Sequence, residues 1–199
     1  MARIHSKVLF ITTSPRSPLK MIPEIELLSN HFTGEEWNNK TQRKFMELLR
    51  EEDYFIGEGK KDPAFSARDR INRAPKSLGF VSLSPTISLT EAGWELIRTK
   101  RKEEVFLRQL LKFQLPSPFH KPTEKAATFW VKPYLELFRL IRHFGTLRFD
   151  EIRIFGLQLV DYMIFDTIVS KIEEFRINKV RNEGNYKAFK AETLKIQTK

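Results

Sequence analysis

Residues 66–76 carry four cationic side chains and one Asn within eleven positions. A guanidinium donates two parallel hydrogen bonds to O6 and N7 of guanine, and an Asn amide can pair with adenine in the same manner. Lys acts mainly on phosphates. The segment therefore has the residue types that read base edges in duplex DNA. Its candidates are Ser66, Arg68, Arg70, Asn72, Arg73 and Lys76.

Helical geometry limits how these residues can act together. Side chains two positions apart on a helix point about 200° apart, so Arg68 and Arg70 cannot read the same base step. One of the arginines could instead pair with Asp69 or Asp62, and the simpler interpretation of the segment is a solvated charged face. The hairpin predicted directly after it favours contact with DNA.

Two further basic clusters flank this segment. Lys60 and Lys61 lie in a loop before it, and Arg101 and Lys102 end the run that begins at Arg98. Each could hold phosphates, although a charge run is usually only a solvated helix end. The three tryptophans are predicted to be core or seam residues, because duplex DNA offers no unpaired base to stack on.

The overall charge agrees with a polyanionic partner. The 199 residues include 35 Lys and Arg against 25 Asp and Glu, a net charge of +10 at pH 7. Such a balance favours nucleic acid. The absence of Cys excludes a disulfide framework and thiolate zinc sites, and the four scattered His residues predict no metal site. No apolar run is long enough to span a bilayer. We expect a cytoplasmic protein of a prokaryotic cell.

The elements that must position these residues follow from capping and periodicity. Residues 8–11 suggest a short strand, and 14–18 a turn. Helices are predicted over 21–30, 41–53 and 66–76, with Ser66 as the N-cap of the third. Strands over 80–83 and 86–89 form a hairpin, and Thr90 caps a helix that ends near residue 97. This order is that of a winged helix, a relative of the helix-turn-helix.

The second half of the chain is also predicted to be helical. Helices are expected over 103–113, 133–144, 149–157 and 161–180, with Gly145 ending the second of these. The acids Asp161, Asp166, Glu173 and Glu174 make the last helix a poor phosphate binder, and a packing role is preferred. We therefore expect a mainly α fold with small β-hairpins. A strand and turn over 1–19 precede a winged-helix subdomain over 20–102. The second helical subdomain, 103–199, could itself be winged-helix-like and ends in a loosely held tail.

A nuclease centre needs converging carboxylates that hold Mg²⁺, usually with a Lys beside them. Glu58 with Lys60 and Glu192 with Lys195 have these residue types, but neither pair follows a strand with the required upstream aspartate. No phosphate-cradling Gly-rich loop and no acyl-transfer triad is present either. The sequence predicts no catalytic residues, no metal site and no cofactor in this chain.

Several linked motifs resemble the amino-terminal recognition region of AlwI-type restriction endonucleases and their nicking relatives. The resemblance covers residues 8–144 well and the remainder loosely. Motifs that occur together in one order are more specific than a lone helix-turn-helix. The motifs are Ser14-Pro-Arg-Ser-Pro18, Ala64-Phe-Ser-Ala-Arg-Asp-Arg70, Lys76 with Gly79-Phe-Val81, Leu89-Thr-Glu-Ala-Gly93, Val105-Phe-Leu-Arg-Gln-Leu110 through Pro116, and His120-Lys121.

The resemblance implies that the chain is the recognition region of a type IIS restriction or nicking endonuclease. Such a region reads a short asymmetric site in double-stranded DNA, GAGTC-like or GGATC-like, and a Mg²⁺-dependent nuclease domain cuts outside it. We expect that nuclease to be a C-terminal domain or a separate subunit, because the sequence ends at Lys199 before one. The resemblance adds Arg16, His120 and Lys121 to the expected DNA contacts.

Two other functions are compatible with the residues alone. A dimeric winged-helix transcriptional regulator would bind a two-fold symmetric site. A protein-interaction winged helix would use the fold as a scaffold, and its positive face would be incidental.

Overall fold

The computed structural model describes residues 18–55, 61–116 and 128–198. They divide into two compact units, residues 18–112 and residues 113–198. The described residues are mainly helical with a small two-stranded antiparallel sheet, which confirms the predicted fold class at that level. No helix among them is long and apolar enough to cross a membrane. The predicted strand over 8–11 and turn over 14–18 lie outside the described ranges, except for Pro18.

The 18–112 unit begins with helices α1 (Met21–Phe32), α2 (Asn39–Glu51) and α3 (Pro63–Ile71), followed by the short α4 (Ala74–Ser77). In α2 the apolar residues recur every three or four positions, so one face is buried. Asn38 caps this helix by accepting a hydrogen bond from the Thr41 amide at 3.1 Å. The core side chains of this unit with no exposed area include Ile25, Leu28, Phe45, Leu49, Ile71, Phe80 and Leu96.

A short hairpin follows α4. Strand β1 (Val81–Ser82) pairs antiparallel with β2 (Ser88–Leu89), with Val81 opposite Leu89 and Ser82 opposite Ser88. The strands lie within the predicted segments but are shorter. The loop after α1 joins the hairpin, because the Gly34 amide donates to Ile87 O at 2.9 Å and the Ile87 amide donates to Glu35 O at 2.8 Å. Gly34 has a φ of +86°, a conformation that favours glycine.

Helices α5 (Glu91–Arg98) and α6 (Lys102–Lys112) complete the unit. Thr90 caps α5 as predicted, since its Oγ1 accepts from the Gly93 amide at 3.1 Å. In α6, Val105 and Phe106 are buried, and the Phe106 ring meets Phe80 edge-on at 5.3 Å. This contact holds α6 within the 18–112 unit, whereas the sequence grouped residues 103–112 with the second subdomain.

The 113–198 unit contains α7 (Pro133–Phe144), α8 (Phe149–Ile154) and α9 (Phe165–Arg181). Gly145 ends α7 with a φ of +72°, as its position predicts. The helices predicted over 149–157 and 161–180 both contain short 3₁₀ segments, Gly156–Gln158 and Tyr162–Ile164. The core of this unit consists of Leu140, Ile154, Phe155, Leu159, Phe165, Ile168, Val169, Ile172 and Phe175.

The end of the chain differs from the loosely held tail that we expected. Residues Tyr186–Thr198 form helix α10, and Tyr186 and Phe189 pack on the core of the 113–198 unit. The Phe189 ring stacks on Phe175 at 5.4 Å. The two aromatic residues are three positions apart, which places them on one face of a helix. The two rings anchor α10, and their spacing is a signal in the sequence that the expectation of a loose tail did not use.

Asp150 attaches α10 through two polar contacts. Its carboxylate accepts from the Tyr186 hydroxyl at 2.9 Å and pairs with Lys190 Nζ at 2.7 Å. The hydrogen bond from Lys190 lowers the pKa of Asp150 below its usual 3.8, although partial burial opposes this. The stabilisation is present above pH 3.8 and is lost as the pH falls through the lowered pKa.

We expect Asp150→Asn to speed amide hydrogen exchange in α10 at neutral pH, because the Lys190 ion pair and the charged acceptor of Tyr186 are lost. Hydrogen exchange with mass spectrometry measures this. Asp166→Asn, at an exposed position of α9, is the control. Equal exchange in α10 for both variants would show that Asp150 does not anchor this helix.

Candidate nucleic-acid interface

The segment predicted to read DNA is two helices and not one. Asp62 is the N-cap of α3, since its carboxylate accepts from the Phe65 amide at 2.9 Å. The prediction of Ser66 as N-cap is therefore wrong. Pro63 fits the first turn, where no backbone donor is needed, and Ser66 Oγ donates to Asp62 O at 3.0 Å. Pro75 lacks the amide that would continue the helix, so α3 ends at Ile71 and α4 begins at Ala74.

Arg68 and Asn72 face α2 rather than solvent. Arg68 Nη1 donates to Gln42 Oε1 at 2.7 Å, and Asn72 Oδ1 accepts from Trp37 Nε1 at 2.8 Å. Gln42 is itself buried and donates to Trp37 O at 2.8 Å. These bonds join α3 to α2 and to the loop before it. Arg68 and Asn72 therefore have structural partners within the unit, and their base contacts stay predictions.

Arg70 forms an ion pair with Glu24 of α1, a carboxylate that is only 2% exposed. The Arg70 guanidinium also lies over the Phe55 ring, 4.7 Å from its centroid. Burial raises the pKa of Glu24 above its usual value, although the charges of Arg70 and Lys20 act to lower it. A buried carboxylate needs its cation, so the structure gives Arg70 an internal role, and its contact with bases stays a prediction.

The hydroxyl of Tyr54 lies near the same pair. Burial, together with the charges of Glu52 and Glu24, raises the pKa of Tyr54 to about 12. Neither the Tyr54 hydroxyl nor Glu24 Oε2 has a hydrogen-bond partner within the described ranges. The Glu24 carboxylate is thus buried beside Arg70, so loss of the Arg70 charge is costly.

The outward face of α3 carries a different set of residues. Phe65 is 55% exposed in the first turn, and Ser66 and Asp69 follow on the same side at helical spacing. Arg73 Nε pairs with Asp69 Oδ1 at 2.6 Å, whereas the sequence analysis expected this pairing of Arg68 or Arg70. Lys76 is half-buried in α4. The four cations of the segment thus do not share one face.

The junction from hairpin to α5 explains the motif Leu89-Thr-Glu-Ala-Gly93. Thr90 Oγ1 donates to Gly79 O at 2.6 Å while it caps the helix. A Cβ on Gly93 would overlap Phe80 O and lie 3.1 Å from Phe80 C. Only glycine allows α5 to approach the hairpin this closely. The motif therefore has a packing reason.

The basic run after α5 contains residues with different roles. Lys102 Nζ donates to Leu96 O at 3.2 Å and to Ile97 O at 3.3 Å, so it satisfies carbonyls at the end of α5. Its phosphate role stays a prediction beside this capping role. Arg101 pairs with Glu104 at 3.3 Å but its side chain stays 77% exposed, and Lys100 is also exposed. Arg98 lies over the Trp94 ring at 4.6 Å.

Of the five other predicted DNA contacts, the structure describes one. Lys61 is exposed immediately before the N-cap of α3. Arg16, Lys60, His120 and Lys121 lie outside the described residues and remain predictions.

The tryptophans only partly match the predicted core role. Trp37 packs edge-on against Phe45 with ring centroids 5.8 Å apart. Trp94 is 41% exposed and Trp130 is 65% exposed, so neither is a core residue. Exposed Phe65 and the bond between Trp37 and Asn72 were also missed by the sequence analysis. The apolar pattern of Ala64, Ala67 and Ile71 could have placed Phe65 on the outward face.

The described carboxylates do not form a metal site. No three His, Cys, Asp or Glu side chains gather around one point in residues 18–55, 61–116 or 128–198. The buried acids are instead held by arginines, as in the pairs Glu24–Arg70, Glu136–Arg139 and Glu151–Arg176. These residues do not fit Mg²⁺, because each of the three buried carboxylates is already paired with an arginine.

Comparison with known families defines the class of this basic, mainly helical chain as a type II restriction enzyme. Residues 76–199 match the model of the family described as AlwI restriction endonuclease. The chain belongs to the AlwI restriction endonuclease family, which confirms the predicted relationship and implies DNA as a partner. No curated protein matches the chain.

Proposed function

We propose that the 18–112 unit is the duplex-recognition part of a type IIS restriction or nicking endonuclease. It reads a short asymmetric site, and cleavage belongs to a Mg²⁺-dependent nuclease domain or subunit. Membership of the AlwI restriction endonuclease family, matched over residues 76–199, carries the restriction-enzyme part of this proposal. The arrangement of α1, α2, α3, hairpin and α5 supports it, because the loop after α1 joins the hairpin through Ile87 as a third strand would in a winged helix.

The residues assigned to base reading change once the internal contacts are known. The outward face of α3 offers an apolar ring for a thymine methyl (Phe65), a hydroxyl (Ser66) and the Asp69–Arg73 pair. A carboxylate accepts a hydrogen bond from cytosine N4, and a guanidinium donates hydrogen bonds to guanine. Asp69 and Arg73 can therefore contact the two bases of one G·C pair. Lys61, Lys100 and Arg101 are exposed cations that suit phosphates.

Selection of bound sequences from a random duplex pool, with the full chain, tests the proposal. A single asymmetric sequence is expected. A two-fold symmetric sequence would instead identify a dimeric regulator. Equal recovery of all duplexes, with binding lost at a modest increase in salt, would indicate a protein-interaction module with an incidental positive face.

On the selected site we expect Arg73→Ala to cost about 1–3 kcal/mol of binding free energy and to cost much less on random DNA, because a base contact is lost. Lys61→Ala should weaken binding to both DNAs equally and lower the slope of log K against log salt concentration by about 0.9. Fluorescence anisotropy titrations measure both effects, with Lys112→Ala, an exposed cation at the end of α6, as the control. An equal loss on both DNAs for Arg73→Ala would remove Arg73 from the reading set.

A further inference from the structure

A cleft whose lining includes three basic side chains lies within the 113–198 unit. It has a volume of about 530 Å³ and is lined by Thr146, Arg148, Arg176, Lys179 and Tyr186 among others. These residues come from the turn before α8, from the last turns of α9 and from the start of α10. The volume falls within the range of small-ligand sites, about 300–1,000 Å³.

Arg176 is fixed at the wall of this cleft. Glu151, only 2% exposed, accepts from Arg176 Nε at 2.8 Å and from Nη2 at 2.9 Å. Nη2 also donates to Thr146 O at 2.7 Å, and the guanidinium lies over the Phe144 ring at 4.4 Å. Nη1 has no hydrogen-bond partner in the described part of the chain. The guanidinium is therefore held rigidly with one donor group unused.

The carboxyl that holds Arg176 stays charged. Burial acts to raise the pKa of Glu151, but hydrogen bonds from the Arg176 side chain and the Arg148 amide, with the charges of both residues, lower it below its usual value. The Arg148 amide donates to Glu151 Oε2 at 2.8 Å. The charge of Arg176 is thus balanced by Glu151, while its Nη1 group has no hydrogen-bond partner among the described residues.

Two other cations at the cleft form no ion pair with a described carboxylate, although the charge of Arg148 acts on Glu151 and that of Lys179 on Asp150. Arg148 is exposed, and Lys179 Nζ lies over the Tyr186 ring at 4.4 Å. No described Asp or Glu lies within 4.0 Å of either charged group. The nearby Asp150 is already bound to Lys190 and to the Tyr186 hydroxyl. The cleft therefore keeps an excess of positive charge from Arg148 and Lys179.

We propose that this cleft binds a phosphate group of the nucleic-acid backbone. Arg148 and Lys179 supply the charge that a phosphodiester needs, and Arg176 supplies a pre-positioned donor. Of the acids that made this region unpromising in sequence, Asp161 precedes α9 and Asp166 lies in its first turn. Glu173 is 3.8 Å from His143, although its charge also acts on Arg176. The inference that the cleft binds phosphate follows from the cleft residues alone. The inference that this phosphate belongs to duplex DNA rests on the proposed function.

Salt titrations of duplex binding by the full chain test the source of the phosphate. Arg148→Gln and Lys179→Gln should each lower the slope of log K against log salt concentration by about 0.9 and weaken binding to all sequences equally. Arg153→Gln removes the same charge from an exposed position of α8 that does not line the cleft, and should leave the slope unchanged. The same slope for Arg148→Gln and Arg153→Gln would overturn the contact with duplex DNA.

Thermal unfolding with inorganic phosphate tests the cleft without DNA. Phosphate should raise the Tm of the wild-type chain above that in chloride of equal ionic strength, and the Arg148→Gln/Lys179→Gln double variant should lose this increase. An increase in Tm with no duplex binding would support the cleft and contradict the proposed function. An increase with unchanged salt slopes would assign the cleft to a small phosphorylated ligand and overturn the backbone contact. No increase and no slope change would overturn the proposal entirely.

Discussion

Arg70→Met is expected to destabilise the 18–112 unit by about 3–5 kcal/mol, because it leaves the buried Glu24 carboxylate without its cation. Methionine keeps much of the aliphatic volume beside Phe55, so the lost charge dominates the effect. Arg73→Met is the matched control. Its pair with Asp69 is partly exposed, and pairs of this kind contribute about 1 kcal/mol or less. Thermal and urea unfolding of both variants measure the difference.

The pH dependence identifies Glu24 as the origin of this loss. Burial raises the pKa of Glu24 in the folded state above its usual 4.5, so the folded chain binds more protons than the unfolded chain. The contribution of this group to stability is fully present below pH 4.5 and is lost as the pH rises through the raised pKa. Removing Arg70 raises that pKa further. The deficit of Arg70→Met should therefore be smallest in acid and grow towards neutral pH.

Glu24→Gln in the Arg70→Met background removes the unpaired charge and is expected to recover much of the lost stability. The same variants separate this role from base reading. Arg70→Met with wild-type unfolding, and with a loss of binding confined to the selected DNA site, would restore Arg70 as a base reader and contradict the internal role.

Gly93→Ala is expected to destabilise the same unit by about 1–3 kcal/mol or more, since its Cβ would overlap the Phe80 carbonyl. The sign is informative because glycine inside a helix usually costs about 1 kcal/mol relative to alanine. Without the contact to Phe80, the substitution would stabilise α5. Hydrogen exchange of residues 80–98 and the midpoint of thermal unfolding measure the result.

Gly156→Ala is the control for Gly93→Ala. Gly156 does not have a left-handed φ, and an added Cβ would meet Ile152 Cγ2 at 3.6 Å, an ordinary contact. We expect little change in Tm for this variant. A Gly93→Ala chain as stable as the wild type would mean that α5 can move away from the hairpin at no cost.

The features that the sequence predicted well are those set by residues that begin, end or cap a helix. Helix α7 begins at Pro133 and ends before Gly145, and Thr90 caps α5, because each signal acts within one turn. Ser66 and Asp62 are both capable N-caps, and Pro63 decides between them by fitting the first turn of α3. Local capping preferences identify both residues as possible N-caps, but they do not predict which of the two neighbours begins the helix.

The internal contacts of α3 could not be predicted from local pattern. Glu24 and Arg70 are 46 positions apart, and Trp37 and Asn72 are 35 apart. No periodicity links such residues, because the pairs form only when α1 and α2 pack against α3. A run of arginines looks the same in sequence whether its guanidiniums face a partner helix or a ligand. For this reason the basic segment was predicted and the roles of its residues were not.

The internal use of Arg68, Arg70 and Asn72 limits how the specificity of such a protein can be changed. These side chains hydrogen-bond or pair within the unit, so we expect their replacement to destabilise it. Under the proposed function, retargeting to a new site is restricted to the outward positions Phe65, Ser66, Asp69 and Arg73. A library randomised at these four positions would vary recognition while leaving the core contacts of the scaffold intact.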